Sequence, residues 1–339
     1  MASKLQIHVR TIKKSTLNYN FQQTTTSSSS LSFTKHLSQL HLLISYTHEK
    51  KPQHESILSP KCSLSSPKPP ATKEEAILQA KTSLSSTLER PLNNPKLAGK
   101  MKKIKQPRLR VEIPVVDDSP ASLSQLALQV FADMPIRRKG PQIKILLLWP
   151  SHGLMQAATE AFASLSSGIH VQSIAMSSVL EEDVRILTSA DVAVFFAPEA
   201  SQLAVMKTVS DSLSPRPVVM FNPKWSFDEE SEMGEMSGFL GSFEVVYSFM
   251  GLEVRGILSK RKGVIFKCVR DGVLSGERWN VLVEEEKNEG EMRVVSSFKS
   301  RPSIVQVESV LYNLMAINSP VTKSAKFLKD LVENVTGKK

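Results

Sequence analysis

A set of short runs that are apolar on consecutive residues limits most strongly how this chain can fold. Ile143–Trp149 (IKILLLW), Asp191–Ala197 (DVAVFFA) and Val218–Phe221 (VVMF) are apolar at successive positions, with only Lys144 and Asp191 interrupting. Successive residues of a strand point to opposite faces, so such strands need cover on both sides, as in a parallel sheet with crossover helices. The intervening segments supply those helices. Leu123, Leu126, Val130 and Met134 recur at helical spacing, as do Leu154, Ala157, Ala158, Ala161, Phe162 and Leu165, and again Leu203, Met206 and Leu213. Ser119-Pro120 reads as an N-cap with Pro at the first helical position, Pro150 stops a strand and Gly168 closes a helix. Leu109–Val116 and Ile169–Met176 add strands, and Ser178 with Glu181 reads as a capping box for a short helix through Leu187. The alternation predicts an α/β chain: a doubly wound, Rossmann-like, mainly parallel sheet.

After Trp225 the pattern changes. Phe243–Leu258, Gly263–Val269, Trp279–Glu284 and Met292–Phe298 read as strands, the first two joined by a turn at Lys260-Arg261-Lys262-Gly263. Shorter connections of this kind predict a C-terminal antiparallel β extension. Two terminal helices follow. One is opened by a Ser303–Gln306 capping box, the other by Ser319-Pro320, with Val321, Ala325, Leu328 and Leu331 as its apolar face. Ahead of the sheet, Thr72–Glu75 caps a helix carrying Ile77, Ala80, Leu84 and Leu88, which Pro91 is expected to end.

The 339 residues carry 43 Lys and Arg against 33 Asp and Glu, a net charge of +10. Such an excess points to an anionic partner, unless it is confined to one part of the chain. Residues 1–62 hold eight bases and two acids, residues 63–110 eleven and three, and residues 111–339 hold 24 and 28. The body is therefore mildly acidic. The first segment has no acid before Glu49, a single Arg, and a hydroxyl run at Thr24–Ser30. That is the composition of an organelle leader, and the excess of Ser over Arg favours the plastid; a polar tail without an address is the alternative. The chain thus divides into a chloroplast transit peptide over 1–62, an N-terminal helix and basic linker over 63–107, and an α/β domain over 108–339. No apolar run approaches the ~20 residues of a spanning helix.

The first segment takes five of the seven His with it, leaving His152 and His170, and Cys62 and Cys268 are the only cysteines. Neither a metal site nor a cofactor is expected from so few ligands. In a doubly wound sheet the ligand-facing loops follow the strands' carboxyl ends. Three such loops carry polar groups: Ser151-His152-Gly153, Pro198-Glu199, and Asn222 with Lys224 and Trp225. They could bind an anion at helix N-termini, or simply end strands and start helices. No G-x-G-x-x-G or G-x-x-x-x-G-K-[ST] accompanies them, and no G-x-S-x-G surrounds Ser151, so no catalytic residue is assigned. Asp228, Glu229, Glu230, Glu232 and Glu235 read as a solvated acidic loop. The basic run Lys96, Lys100, Lys102, Lys103, Lys105, Arg108 and Arg110 reads either as a solvated linker or as a docking segment for a thylakoid surface or an acidic partner. It lacks the aromatic residues that stack on bases, which argues against nucleic acid.

Several blocks together resemble one family: RLRVEIPV (108–115), ADVAVFFAPEASQ (190–202), RPVVMFNPKW (216–225), GSFEVVYSFMGLEVRGILSKRKGVIFKCV (241–269), GERWNVLVEE (276–285) and VLYNLMAINSPVTKSAKF (310–327). They are similar to the plant and cyanobacterial family, with a domain of unknown function, that includes the plastid Low PSII Accumulation proteins, above all those of the Low PSII Accumulation 3 type. The resemblance implies a stromal protein, peripheral to the thylakoid, that assists photosystem II assembly by helping incorporate the chlorophyll-binding core antenna PsbC. It implies PsbC, a factor of the Low PSII Accumulation 2 type and the Albino-type thylakoid insertase as partners. It brings no catalytic residues with it. A nucleotide- or metabolite-binding stromal enzyme using the strand-end loops is the alternative.

Overall fold

The computed structural model describes residues 8–11, 68–93, 105–115, 117–138, 140–163, 169–179, 184–255, 260–285 and 291–318. Their strands are β1 (His8–Thr11), β2 (Arg108–Glu112), β3 (Lys144–Trp149), β4 (His170–Ala175), β5 (Val192–Phe196), β6 (Val218–Phe221), β7 (Glu244–Arg255), β8 (Lys260–Cys268), β9 (Trp279–Glu284) and β10 (Met292–Phe298). The helices are α1 (Lys73–Asn93), α2 (Pro120–Phe131), α3 (His152–Ala163), α4 (Val184–Ser189), α5 (Leu203–Leu213), α6 (Met236–Leu240) and α7 (Ile304–Asn318). All ten strands join one sheet, in the order β10-β9-β8-β7-β2-β6-β5-β3-β4, with β1 added to β7. Neighbours from β4 across to β7 run parallel, whereas β8, β9 and β10 follow as antiparallel hairpins. The architecture is the expected mainly parallel α/β sheet with an antiparallel extension.

Side-chain alternation along the central strands builds two cores. Ile145, Leu147, Trp149, Val192, Val194, Phe196, Val219 and Phe221 face α1, α2 and α3. Leu146, Leu148, Ala193, Phe195, Val218 and Met220 face α5 and α6 on the other side. A third, smaller core lies under α7, where Val307 and Leu311 meet Ile265, Trp279 and Val281. Within the first core four rings converge: Phe196 stacks on Phe221 at 4.7 Å, lies 4.7 Å from Trp149 and meets Phe131 edge-on at 6.3 Å. Ser119 caps α2 as its sequence indicates, its hydroxyl accepting from Ser122 N–H at 3.4 Å, with Pro120 at the first turn. Asp117 accepts from the Ser122 hydroxyl and from Ser119 N–H, which holds its carboxyl below the usual range.

Several boundaries differ from the sequence reading, each for a local reason. Lys260–Gly263 is not a turn: these residues pair with Leu252–Arg255 and extend β8, so the β7–β8 connection lies at residues 256–259, outside those described. β7 does not begin the antiparallel part alone, since its first residues pair parallel with β2 and its remainder antiparallel with β8. Pro91 does not stop α1, which continues to Asn93. Buried Leu92 and an Asn93 side chain donating to the Glu89 and Arg137 carbonyls hold that last turn. Nor is α1 separate from the α/β domain. Ser83 donates to the Val269 carbonyl at 2.7 Å, and Gly272, at φ +66°, approaches so closely that a Cβ there would overlap the Ser86 carbonyl. The helix proposed for Ser319–Leu331, the Glu181 cap partner and Leu165 with Gly168 all lie outside the described residues.

Truncating Phe196 removes the ring that the other three share. Phe196→Ala should lower unfolding stability by about 3–5 kcal/mol, read as a shift of the urea midpoint. A loss below about 1 kcal/mol would mean that the cluster is not a packing centre.

Candidate functional site

The chain reverses its direction of winding at the carboxyl end of the sheet. β3 leads into α3 on one face and β5 leads towards α5 on the other, so the ends of these adjacent strands form the switch-point crevice of a doubly wound fold. The loop after β3 places Ser151, His152 and Gly153 at the surface, with Pro150 buried. The Ser151 hydroxyl accepts from Leu154 N–H at 3.4 Å and so serves α3 as a cap, while His152 is already the first residue of that helix. Across the crevice, the Gln202 side chain donates to the Pro150 carbonyl at 2.7 Å and accepts from Glu199 N–H at 3.0 Å. The crevice is therefore bridged by the chain's own amide.

The loops after β5 and β6 are joined just as closely. Ala197 and Asn222, the first residue past each strand, both have φ of +48°. This left-handed conformation costs a non-glycine residue about 1–3 kcal/mol, Asn least. Both are tied down: Ala197 N–H donates to Phe221 O at 2.7 Å, Asn222 N–H donates to Val111 O at 2.9 Å, and the Asn222 side-chain carbonyl accepts from Ile113 N–H at 2.7 Å. Lys224 N–H donates to Pro198 O at 2.9 Å, and Lys224 Nζ lies 3.3 Å from Glu199 Oε1. The structure thus brings Pro198, Glu199, Asn222 and Lys224 into one patch, with Ser151 and His152 on its far side. Glu199 and Lys224 point outward, whereas Trp225 is buried.

Trp225 leads into a charged cluster. Its indole N–H donates to Glu230 at 3.0 Å, and Glu230 also accepts from Arg110. Arg110 Nε donates to Glu112 at 2.8 Å, and Glu112 further accepts from the Ser248 hydroxyl at 2.7 Å and from Arg301 at 3.2 Å. The Arg301 guanidinium lies 4.0 Å over the Phe227 ring and 5.2 Å from that of Trp279. All four charged side chains are less than 10% exposed. Burial opposes the charge on Arg110, but Glu112 and Glu230 outweigh it and hold the group above its ordinary pKa. Burial instead dominates at Arg301, whose pKa falls.

These contacts correct two expectations. Arg110 is a buried structural cation, and Arg108 is occupied with Gln106, Ser242 and Asp211 and lies 5.0 Å from the Phe239 ring. Neither is free to serve a docking segment. Lys105 is exposed, while Lys96, Lys100, Lys102 and Lys103 lie outside the described residues. The acidic stretch is not solvated throughout either: Asp228–Glu232 form a short 3-10 turn that points Glu230 inward. Sequence reasoning missed Glu112, Ser248, Gln202 and Arg301. One signal was available for the first, since Arg110 and Glu112 occupy alternate positions of β2 and so share a face.

The blocks RLRVEIPV, NPKW and EVVYSF, far apart in the chain, supply Arg110, Glu112, Trp225 and Ser248 to this one cluster. A family model covers them all, matching residues 70–309. The chain belongs to the DUF1995 family. This family is defined by a domain of unknown function. The DUF1995 match opens just ahead of α1 and ends inside α7, so it takes in the helix that packs on the sheet as well as the antiparallel strands. Comparison with curated proteins gives no match.

Removing one partner from a buried charge cluster leaves the others unpaired. Glu112→Ala, which takes the carboxylate from Arg301 and leaves Arg110 with Glu230, should cost about 3–5 kcal/mol. Glu199→Ala, which breaks a half-exposed pair, should cost at most about 1 kcal/mol. Denaturant titration of both variants checks the contrast, and equal losses would contradict it.

Proposed function

We propose that this chain is a chloroplast photosystem II assembly factor that assists incorporation of PsbC, and that it acts by binding protein rather than by catalysis. The observation that carries the binding role is the occupied switch point. Gln202 spans the crevice where a doubly wound enzyme seats its ligand, and the neighbouring strand ends are filled by the Arg110–Glu112–Glu230–Arg301 cluster. What faces outward there is a polar rim of Ser151, His152, Glu199 and Lys224, suited to a protein surface.

The identity of the partner is supported by the sequence blocks that resemble the Low PSII Accumulation proteins. The acid-poor, hydroxyl-rich first segment supports a stromal address. In this reading a factor of the Low PSII Accumulation 2 type and the Albino-type insertase are its companions, and Lys96–Lys105 gives it a salt-sensitive, peripheral hold on the thylakoid.

Tagged protein isolated from chloroplasts should retain PsbC, and a null mutant should show depleted PsbC-containing complexes on blue-native gels. Normal PsbC incorporation in the null would end this reading. Saturable binding of a nucleotide or sugar phosphate to the full chain, lost on Lys224→Ala, would favour a stromal enzyme instead.

A further inference from the structure

The longest strand has one edge that the central sheet covers only in part. β7 is twelve residues long. β8 pairs along one side of it from Tyr247 to Arg255, but on the other side β2 pairs only with residues between Glu244 and Ser248. Further along that side, Leu252–Arg255 pairs with β1 in an antiparallel register: His8 opposite Arg255, Val9 opposite Val254, Arg10 opposite Glu253 and Thr11 opposite Leu252. β1 belongs to residues 1–62, whose composition is that of a removable leader. A strand edge carries main-chain N–H and C=O groups that need partners, and loss of β1 would leave open those groups of Leu252–Arg255 that face away from β8.

We propose that Leu252–Arg255 is a strand-acceptor site. In the precursor the chain's own His8–Thr11 holds it. In the mature protein an extended segment of a partner polypeptide replaces β1, adding antiparallel through main-chain hydrogen bonds. The register of β1 defines what fits: four extended residues running antiparallel to Leu252–Arg255 and bonding through the main chain. The vacating of the edge rests on the leader reading of residues 1–62, whereas the edge itself depends on neither that reading nor on PsbC.

The test uses the full-length chain and hydrogen exchange at the amides of Leu252–Arg255. Replacing both Val9 and Arg10 by Pro removes a ladder N–H whichever of the two bonds to β7, and should speed exchange about tenfold or more at the alternate amides of Leu252–Arg255 that face β1, while those that bond to β8 and the central strands stay protected. A synthetic peptide of residues 4–15, added to the double-Pro variant, should restore slow exchange saturably, and the same peptide carrying both prolines should not. Equal exchange in wild type and the double-Pro variant, or a released edge that the peptide fails to protect, would overturn the proposal. N-terminal sequencing of protein purified from chloroplasts reads the remaining step, because retention of His8–Thr11 would overturn the replacement by a partner. None of these readouts involves PsbC, so their failure is separable from failure of the assembly role.

Discussion

Glu112 is where the two halves of the sheet are held together. It sits on β2, which pairs on one side with the parallel strand β6 and on the other with β7, the strand that begins the antiparallel extension. Its carboxylate collects donors from its own strand through Arg110, from β7 through Ser248, and from the β10–α7 connection through Arg301. Arg110 passes the chain of bonds on to Glu230 and Trp225 beyond β6. On this face of the sheet the cluster lies between the core under α5 and α6 and the core under α7. A buried group of two cations and two anions is electrically balanced, so its cost is mainly desolvation, which the hydrogen bonds largely offset. Its value is in geometry, because each member fits only one arrangement of the segments that supply it.

The parts of this fold that could be read from sequence are those fixed by local chemistry. Consecutive apolar residues in IKILLLW, DVAVFFA and VVMF forecast strands covered on both faces, and the two cores they build follow from simple alternation. Ser119-Pro120 forecast a helix start for the same reason. What escaped depends on distance along the chain. Arg110 lies in a run of basic residues and shares a strand face with Arg108, and the carboxylate that neutralises it from outside its own strand is 120 residues away. Lys260–Gly263 has turn-like composition, yet pairing with β7 keeps it extended. Gln202 shows no local sign that it will reach Pro150, since that bond exists only once β3 and β5 lie side by side.

The candidate site shows the same division. The three strand-end loops could be located from Pro and Gly punctuation, and the structure does bring them to one end of the sheet. Their relation to each other could not be foreseen. Two left-handed residues, Ala197 and Asn222, turn adjacent strands in matching fashion, and this lets Lys224 meet both the Pro198 carbonyl and the Glu199 carboxylate. The backbone strain at these two positions is balanced by hydrogen bonds to neighbouring strands.

The seating of α1 also bears on how the chain can be shortened. Ala80, Leu84 and Leu88 are almost wholly buried, Ser83 occupies the Val269 carbonyl, and the Gly272 turn leaves no room between its backbone and the helix. A protease that trims the N-terminus must therefore cut upstream of this helix. A cut within it would strip cover from Tyr247 and Phe266 and leave the β8 end without its partner. The packing of one helix thereby sets a downstream limit on any N-terminal truncation that leaves the fold intact, written into the core rather than into a cleavage motif.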